Sequence, residues 1–175
     1  MTHPTADRHA TNGGDFNTWP PELLAWFDGT SLAQKIGFTA SILTLDVAGR
    51  LGTSLIGAGE LYASDARSLC FALWGQSRTA RAVAASRRAT VTFVFDGAFY
   101  QVHLDVDALP SDAASEAGLI CFRGVIANGE MQRVHYAHLT SGITFALDDH
   151  MHDEVLTRWQ AQLDLLKASA IASSR

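Results

Sequence analysis

The residues best suited to chemistry lie mid-chain, in Phe71-Ala72-Leu73-Trp74-Gly75-Gln76-Ser77-Arg78-Thr79-Ala80-Arg81. An apolar run passes through a glycine-containing turn and opens what reads as a helix. The first turn of a helix presents unpaired backbone N–H groups and a partial positive charge, a ready seat for an anion and above all a phosphate. Ser77 and Thr79 add hydroxyl donors there. Arg78 adds a fixed-charge fork that matches phosphate oxygens. Arg81, one turn further on, and Arg50 are additional cations. The same residues also fit an N-capped surface helix with solvated arginines, and spacing alone leaves both readings open.

Other reactive side chains are scattered. Of the seven histidines, His135 and His138 are three apart, and His150 and His152 are two apart beside Asp148, Asp149 and Asp153. A His-x-His pair on a strand puts both rings on one face and can chelate zinc. The acidic run around it equally suits a solvated turn before the last helix, and no metal site is assigned. Cys70 and Cys121 lie in apolar runs, outside any CxxC pair, and read as buried reduced thiols.

The elements that must position these residues are mostly strands. Residues 1–18 are polar and read as a disordered leader. Trp19-Pro20-Pro21 opens a short helix over Glu22 to Phe27, proline being tolerated in a first turn. Strands are expected from Phe38 to Asp46, from Leu51 to Leu61, and from Leu69 to Trp74, with a turn at Ser64 to Arg67. The last of these runs is continuously apolar, as a fully buried strand would be. Gly57 and Gly59 inside the second strand suggest a bulge or a close approach to the backbone. A helix over Ser77 to Ala85 precedes the β-prone run Ala89 to Phe95. Asp96-Gly97 is a hairpin signal, and Phe99 to Val106 alternates cleanly. Pro110 to Ala117 is a loop or short helix. Leu119 to Ile126 and Ile143 to Leu147 complete the strands, and Asn128 to Gly142 is unassigned. Val155, Leu156, Trp159, Leu163 and Leu166 recur at helical spacing and predict a C-terminal helix over 153–170 whose apolar stripe packs on the sheet. The sum is one domain over 19–175, mainly β with flanking helices, in which six to seven antiparallel strands form a barrel.

Composition narrows the partners. The chain has 175 residues, 47% hydrophobic and 18% charged, with a formal net charge of -5. That is enough apolar material for a core, and the acidic balance excludes an electrostatic footprint for nucleic acid or an anionic membrane surface. No apolar run approaches the ~20 residues of a membrane span, and the N-terminus lacks a signal-peptide core. The expected location is the cytoplasm.

The order of these motifs resembles the pyridoxamine 5'-phosphate oxidase-like flavoproteins with an FMN-binding split barrel. That family pattern is a strand, Ser-Arg-Lys opening a helix, then a hairpin with Gln-Val on its second strand. Ser77-Arg78 and Gln101-Val102 match it, and the resemblance covers roughly residues 35 to 147. It implies FMN as cofactor, with Ser77, Arg78 and Thr79 at the phosphate and Gln101 hydrogen-bonded to the flavin. The backbone of Thr53, Ser54, Leu55 and Ile56 would run along the ring, and Leu73 and Trp74 would line it. It implies a homodimer with FMN between the subunits, and an oxidoreductase that meets a small-molecule substrate or an electron donor such as NAD(P)H. Three departures stand out. Thr79 replaces the family lysine. The C-terminal VLTRWQAQLDLLKASAIASSR lacks the substrate-gripping arginine and histidine of the true oxidases, so that activity is not expected. Gly57-Ala58-Gly59-Glu60 interrupts the second strand, where it would shape a different substrate pocket. Glu60, Tyr100 and His103 are acid–base candidates by proximity, and no catalytic residue is assigned. The alternative is a non-catalytic flavin- or haem-binding carrier. A haem variant would need an axial histidine, for which His135, His138, His150 and His152 are candidates.

Overall fold

In a computed structural model, residues 11–173 form one mainly antiparallel β-sheet with flanking helices. The strands are β1 (Thr11–Phe16), β2 (Thr39–Leu45), β3 (Leu51–Gly57), β4 (Leu61–Asp65), β5 (Ser68–Trp74), β6 (Arg88–Phe95), β7 (Ala98–Leu109) and β8 (Leu119–Val134). The helices are α1 (Pro21–Trp26), α2 (Arg78–Ser86), α3 (Asp112–Glu116) and α4 (His152–Ala172). The sheet order is β3-β2-β6-β7-β8-β5-β4, and β1 pairs with the far half of β8. Side chains from both halves of the sheet, among them Ile42, Ile56, Phe71, Val91, Val102 and Phe122, meet in one core. The sheet therefore curls round that core and stays open between its edge strands β3 and β4.

Local chemistry explains most joints. Asp96 and Gly97 adopt φ of 47° and 70°, the left-handed pair that a tight hairpin needs to match strand twist. Asp46 holds the β2–β3 turn by accepting the amides of Ala48 and Arg50 on Oδ1. Ser77 caps α2 by accepting the Ala80 amide at 3.0 Å, and Arg87 ends it in the left-handed region. The run Ser68 to Leu73 is buried at every residue because β5 is covered on both faces. Leu69, Phe71 and Leu73 face the barrel core, and Cys70 and Ala72 face α4, whose Val155, Trp159, Leu163 and Leu166 pack there. Cys70 and Cys121 both lie in this second layer, fully buried.

Three expectations change. The polar segment 11–16, expected to be disordered, is β1, which pairs residue for residue with Val134 to Gly129; residues 1–10 of the expected leader lie outside the described residues. Its ladder needs only backbone groups, so an apolar pattern was not required. The strand expected over Leu51–Leu61 breaks in two at a 3-10 turn, Ala58–Glu60, and eight strands result instead of six or seven. Ile143–Leu147 is not a strand. Instead β8 runs on through the unassigned segment to Val134, and Phe145 packs edge-on against Trp159 at 6.1 Å.

Candidate functional site

A cleft of about 960 Å³ opens between the β2–β3 hairpin and the N-terminal half of α2. The sequence order builds it directly. β5 delivers the chain to the Gly75 turn, and Ser77 starts α2 facing β3. Thr79 is buried, and its Oγ1 lies 2.5 Å from Ser54 Oγ, which ties the helix to the edge strand. Thr53 and Ser54, expected along the ring, and Ser77, Arg78 and Thr79, expected at the phosphate, therefore line one cleft.

Three guanidiniums face it, with one carboxylate. Arg50 is paired with Asp46, its Nε and Nη2 both 2.8 Å from Oδ2. The Arg50 amide above all, with the Arg50 side chain and the Ala48 amide, holds the Asp46 carboxyl below its usual range against the opposing effect of desolvation. Arg81 folds back so that Nη1 donates to the Gln76 carbonyl at 2.7 Å, which keeps its charge at the helix start. Arg78 has no ion pair or hydrogen bond among the described residues. It is exposed on the first turn of α2, a cation without a protein counter-charge beside a helix N-terminus. β3 adds a further feature. As the last strand of the sheet it pairs only with β2, so alternate backbone N–H groups on its free side are unpaired by the ladder, and Leu51 to Thr53 are exposed.

The other expected site residues lie elsewhere within one protomer. Ile56 is buried in the core, and Leu55 points to the outer face of the sheet, 55% exposed. Leu73 is also in the core. Trp74 is exposed and sits against Gly118, away from the cleft. Its backbone carbonyl accepts the Ser77 amide at 2.9 Å. Neither Leu73 nor Trp74, both expected to line the cofactor, lines this cleft within one chain. Gln101 lies on the opposite side of the sheet from α2. Its neighbours Tyr100 and Val102 point into the core, so strand alternation turns Gln101 outward. There it shares a shallower depression of about 670 Å³ with Leu43, Leu45, Leu51, Thr90 and His103. It is three strands from β3, ~14 Å at the usual strand spacing.

The acid–base candidates also separate. Glu60 caps its own 3-10 turn, accepting the Gly57 amide at 2.6 Å. Burial pushes its carboxyl above the ordinary range, against the lowering effect of that amide and of the Arg158 charge. Tyr100 is stacked on Phe93 in the core, 5.2 Å between centroids. His103 is exposed, with Nδ1 2.9 Å from Thr90 Oγ1 and Nε2 3.2 Å from Gln101 Nε2. None of His135, His138, His150 or His152 lines either depression. Among the described residues no three His, Cys, Asp or Glu side chains converge as metal ligands. Gly57 and Gly59 do mark a close approach, and its partner is Trp159. A Cβ on Gly59 would fall inside that indole, and one on Gly57 would lie 2.8 Å from Cζ2. The pocket expected there is filled by α4.

Comparison with known proteins gives the following. No family model matches the chain, and no curated protein sequence matches it. Solved structures do match. A candidate pyridoxamine 5'-phosphate oxidase from Lactobacillus delbrueckii is 13% identical, with a TM-score of 0.47 over 65% of this chain and 94% of that one. The chain is similar to solved proteins of this kind. An FMN-binding protein from Syntrophomonas wolfei is 13% identical, with a TM-score of 0.48 over 65% and 88%. The haem-storage protein HutZ from Vibrio cholerae is 12% identical, with a TM-score of 0.46 over 63% and 91%. Among the described residues no helix is long and apolar enough to cross a membrane.

Proposed function

We propose that this chain is an FMN-binding flavoprotein of the split-barrel kind that acts as a homodimeric oxidoreductase. The observation that carries the reading is Arg78, a guanidinium without a partner among the described residues at the capped N-terminus of α2, in a cleft with Arg81 and Arg50. Such a constellation is complementary to a phosphate monoester: helix amides, a hydroxyl and a bidentate fork converge on one anion. The free edge of β3 beside it suits a planar ring with hydrogen-bonding edges, since unpaired strand amides need acceptors.

The residues present fit FMN in two parts. Arg78 and the first amides of α2 would hold the phosphate, with Arg81 supplying the charge that Thr79 lacks. The backbone of Thr53 to Ile56 would meet the ring. When bound, FMN supplies hydride or electron transfer at that ring. The chain's own residues bind and orient. Among the described residues the one acid lining the cleft, Asp46, is committed to Arg50 and to turn amides.

The outer face supports the dimer in this reading. Leu45, Val47, Leu51 and Leu55 are 53%, 94%, 66% and 55% exposed along one hairpin, the kind of apolar strip that marks an interaction surface. A second copy packed on that strip would bring a Gln101 face toward the edge of β3, which a single chain does not do. The electron donor or substrate is a small molecule such as NAD(P)H.

The reading is tested by titrating the purified protein with FMN and following the flavin band near ~450 nm. Saturable binding is expected. Arg78→Ala should weaken it about 5- to 150-fold, the scale of a charged hydrogen bond worth about 1–3 kcal/mol, while leaving the melting temperature unchanged. Equal affinity in the two proteins would remove the phosphate assignment. Bleaching of the bound flavin by NADH or NADPH separates an enzyme from a carrier, and a Soret band after haem addition in place of flavin binding would overturn the cofactor.

A further inference from the structure

A second cleft, of about 460 Å³, lies at the other end of β2. Its walls are Trp26 at the end of α1, the 3-10 turn that carries Lys35, Thr39 at the start of β2, the β6–β7 turn, and residues 139–144 lying across them. The length of β2, ~20 Å at about 3.3 Å per residue, separates it from the arginine cleft.

One buried donor there has no acceptor among the described residues, and a second is only partly used. The Trp26 indole N–H is buried and has no hydrogen-bond partner. Lys35 is 6% exposed, a rare burial for an ammonium. Among the described residues it makes one hydrogen bond, to Asp28 Oδ1 at 3.1 Å, and it lies 5.5 Å over the Trp26 ring. An ammonium has three donors, and donors left unmade in a buried place are costly. The two carboxylates nearby are already engaged. Asp28 also takes the amide and hydroxyl of Thr30, and Asp96 takes Arg133. The remaining wall is mixed, with Phe38, Val94 and Ile143 lying among polar residues such as Gln34, Thr140 and Ser141. An orphaned indole N–H and a buried ammonium beside the side chains of Phe38, Val94 and Ile143 suit a molecule with acceptor oxygens on a small apolar body.

We propose that this cleft binds a small organic carboxylate, its oxygens received by Lys35 and the Trp26 indole N–H and its apolar part lying against Phe38, Val94 and Ile143. This site does not depend on the flavin reading. The test is a titration of ¹⁵N-labelled full-length protein with acetate, benzoate and indole-3-acetate, watching the indole N–H resonances. Trp26→Phe identifies the Trp26 signal by its loss. That signal should shift saturably with at least one of the three acids. The neutral benzamide should bind at least tenfold more weakly than benzoate. Lys35→Met should weaken binding at least tenfold, Lys35→Arg should keep most of it, and Arg78→Ala should leave it unchanged. If the Trp26 signal moves with none of the acids, or moves equally in Lys35→Met, the proposal is overturned.

Discussion

At the scale of single residues, what distinguishes Arg78 from its neighbours is what it does not touch. Arg50 is bound to Asp46 and Arg81 to a carbonyl, so each has a structural occupation. Arg78 has none among the described residues, and a cation of that kind at a helix N-terminus works against the helix dipole unless an anion joins it. Glu60 shows how burial turns into pH dependence. Its carboxyl is pushed up by burial, so the folded chain holds that proton more tightly than the unfolded chain does. Its contribution to stability is fully present below the ordinary carboxylate pKa and is lost as pH rises through the raised value. Glu60→Gln keeps an oxygen for the Gly57 amide and never ionises. Urea midpoints should therefore shift in the variant's favour as pH climbs from about 4 to about 7. A gap between the two proteins that stays constant over that range would refute this account.

At the scale of elements, α4 is locked to the 3-10 turn between β3 and β4 by an indole that occupies the space of two absent side chains. Gly57 and Gly59 are needed there for proximity, since neither has a positive φ. Gly59→Ala should cost about 3 kcal/mol through overpacking, a fall of roughly 6–12 °C in melting temperature for a chain of this size. Trp159→Ala should itself cost about 3–5 kcal/mol. In that background the added Gly59→Ala should cost under about 1 kcal/mol, because the two sites share one volume. Additive losses in calorimetry would show that the contact is not what the glycines serve.

At the scale of the whole molecule, the sheet leaves one long apolar edge uncovered. α4 covers the outer face of β5 and β8, and α1 and α2 send Leu23, Ala80 and Val83 into the barrel core, but none of the described residues covers the outer face of the β2–β3 hairpin. Sedimentation at about 10–50 μM should give twice the monomer mass, and Leu45→Asp, which places a charge in the strip without touching Arg78, should give monomers. The same variant should lose FMN affinity if the ring needs both copies. A wild-type monomer at those concentrations would remove the dimer from the proposal.

The sequence by itself determined what depends on near neighbours. Alternation in Phe99 to Val106, the Asp96-Gly97 turn, the Ser77 cap and the apolar stripe of the last helix each follow from backbone geometry over a few residues, and each is present in the structure. The cluster of Ser77, Arg78 and Thr79 was legible for the same reason, being one turn of helix. Tertiary structure alone decided which face each element meets. It turned Gln101 away from α2, set Leu73 in the core, filled the glycine-rich break with Trp159 and recruited Thr11 to Phe16 as a strand. Periodicity records which side of a strand is apolar, but the partner that covers that side comes from a distant part of the chain, and only packing chooses it.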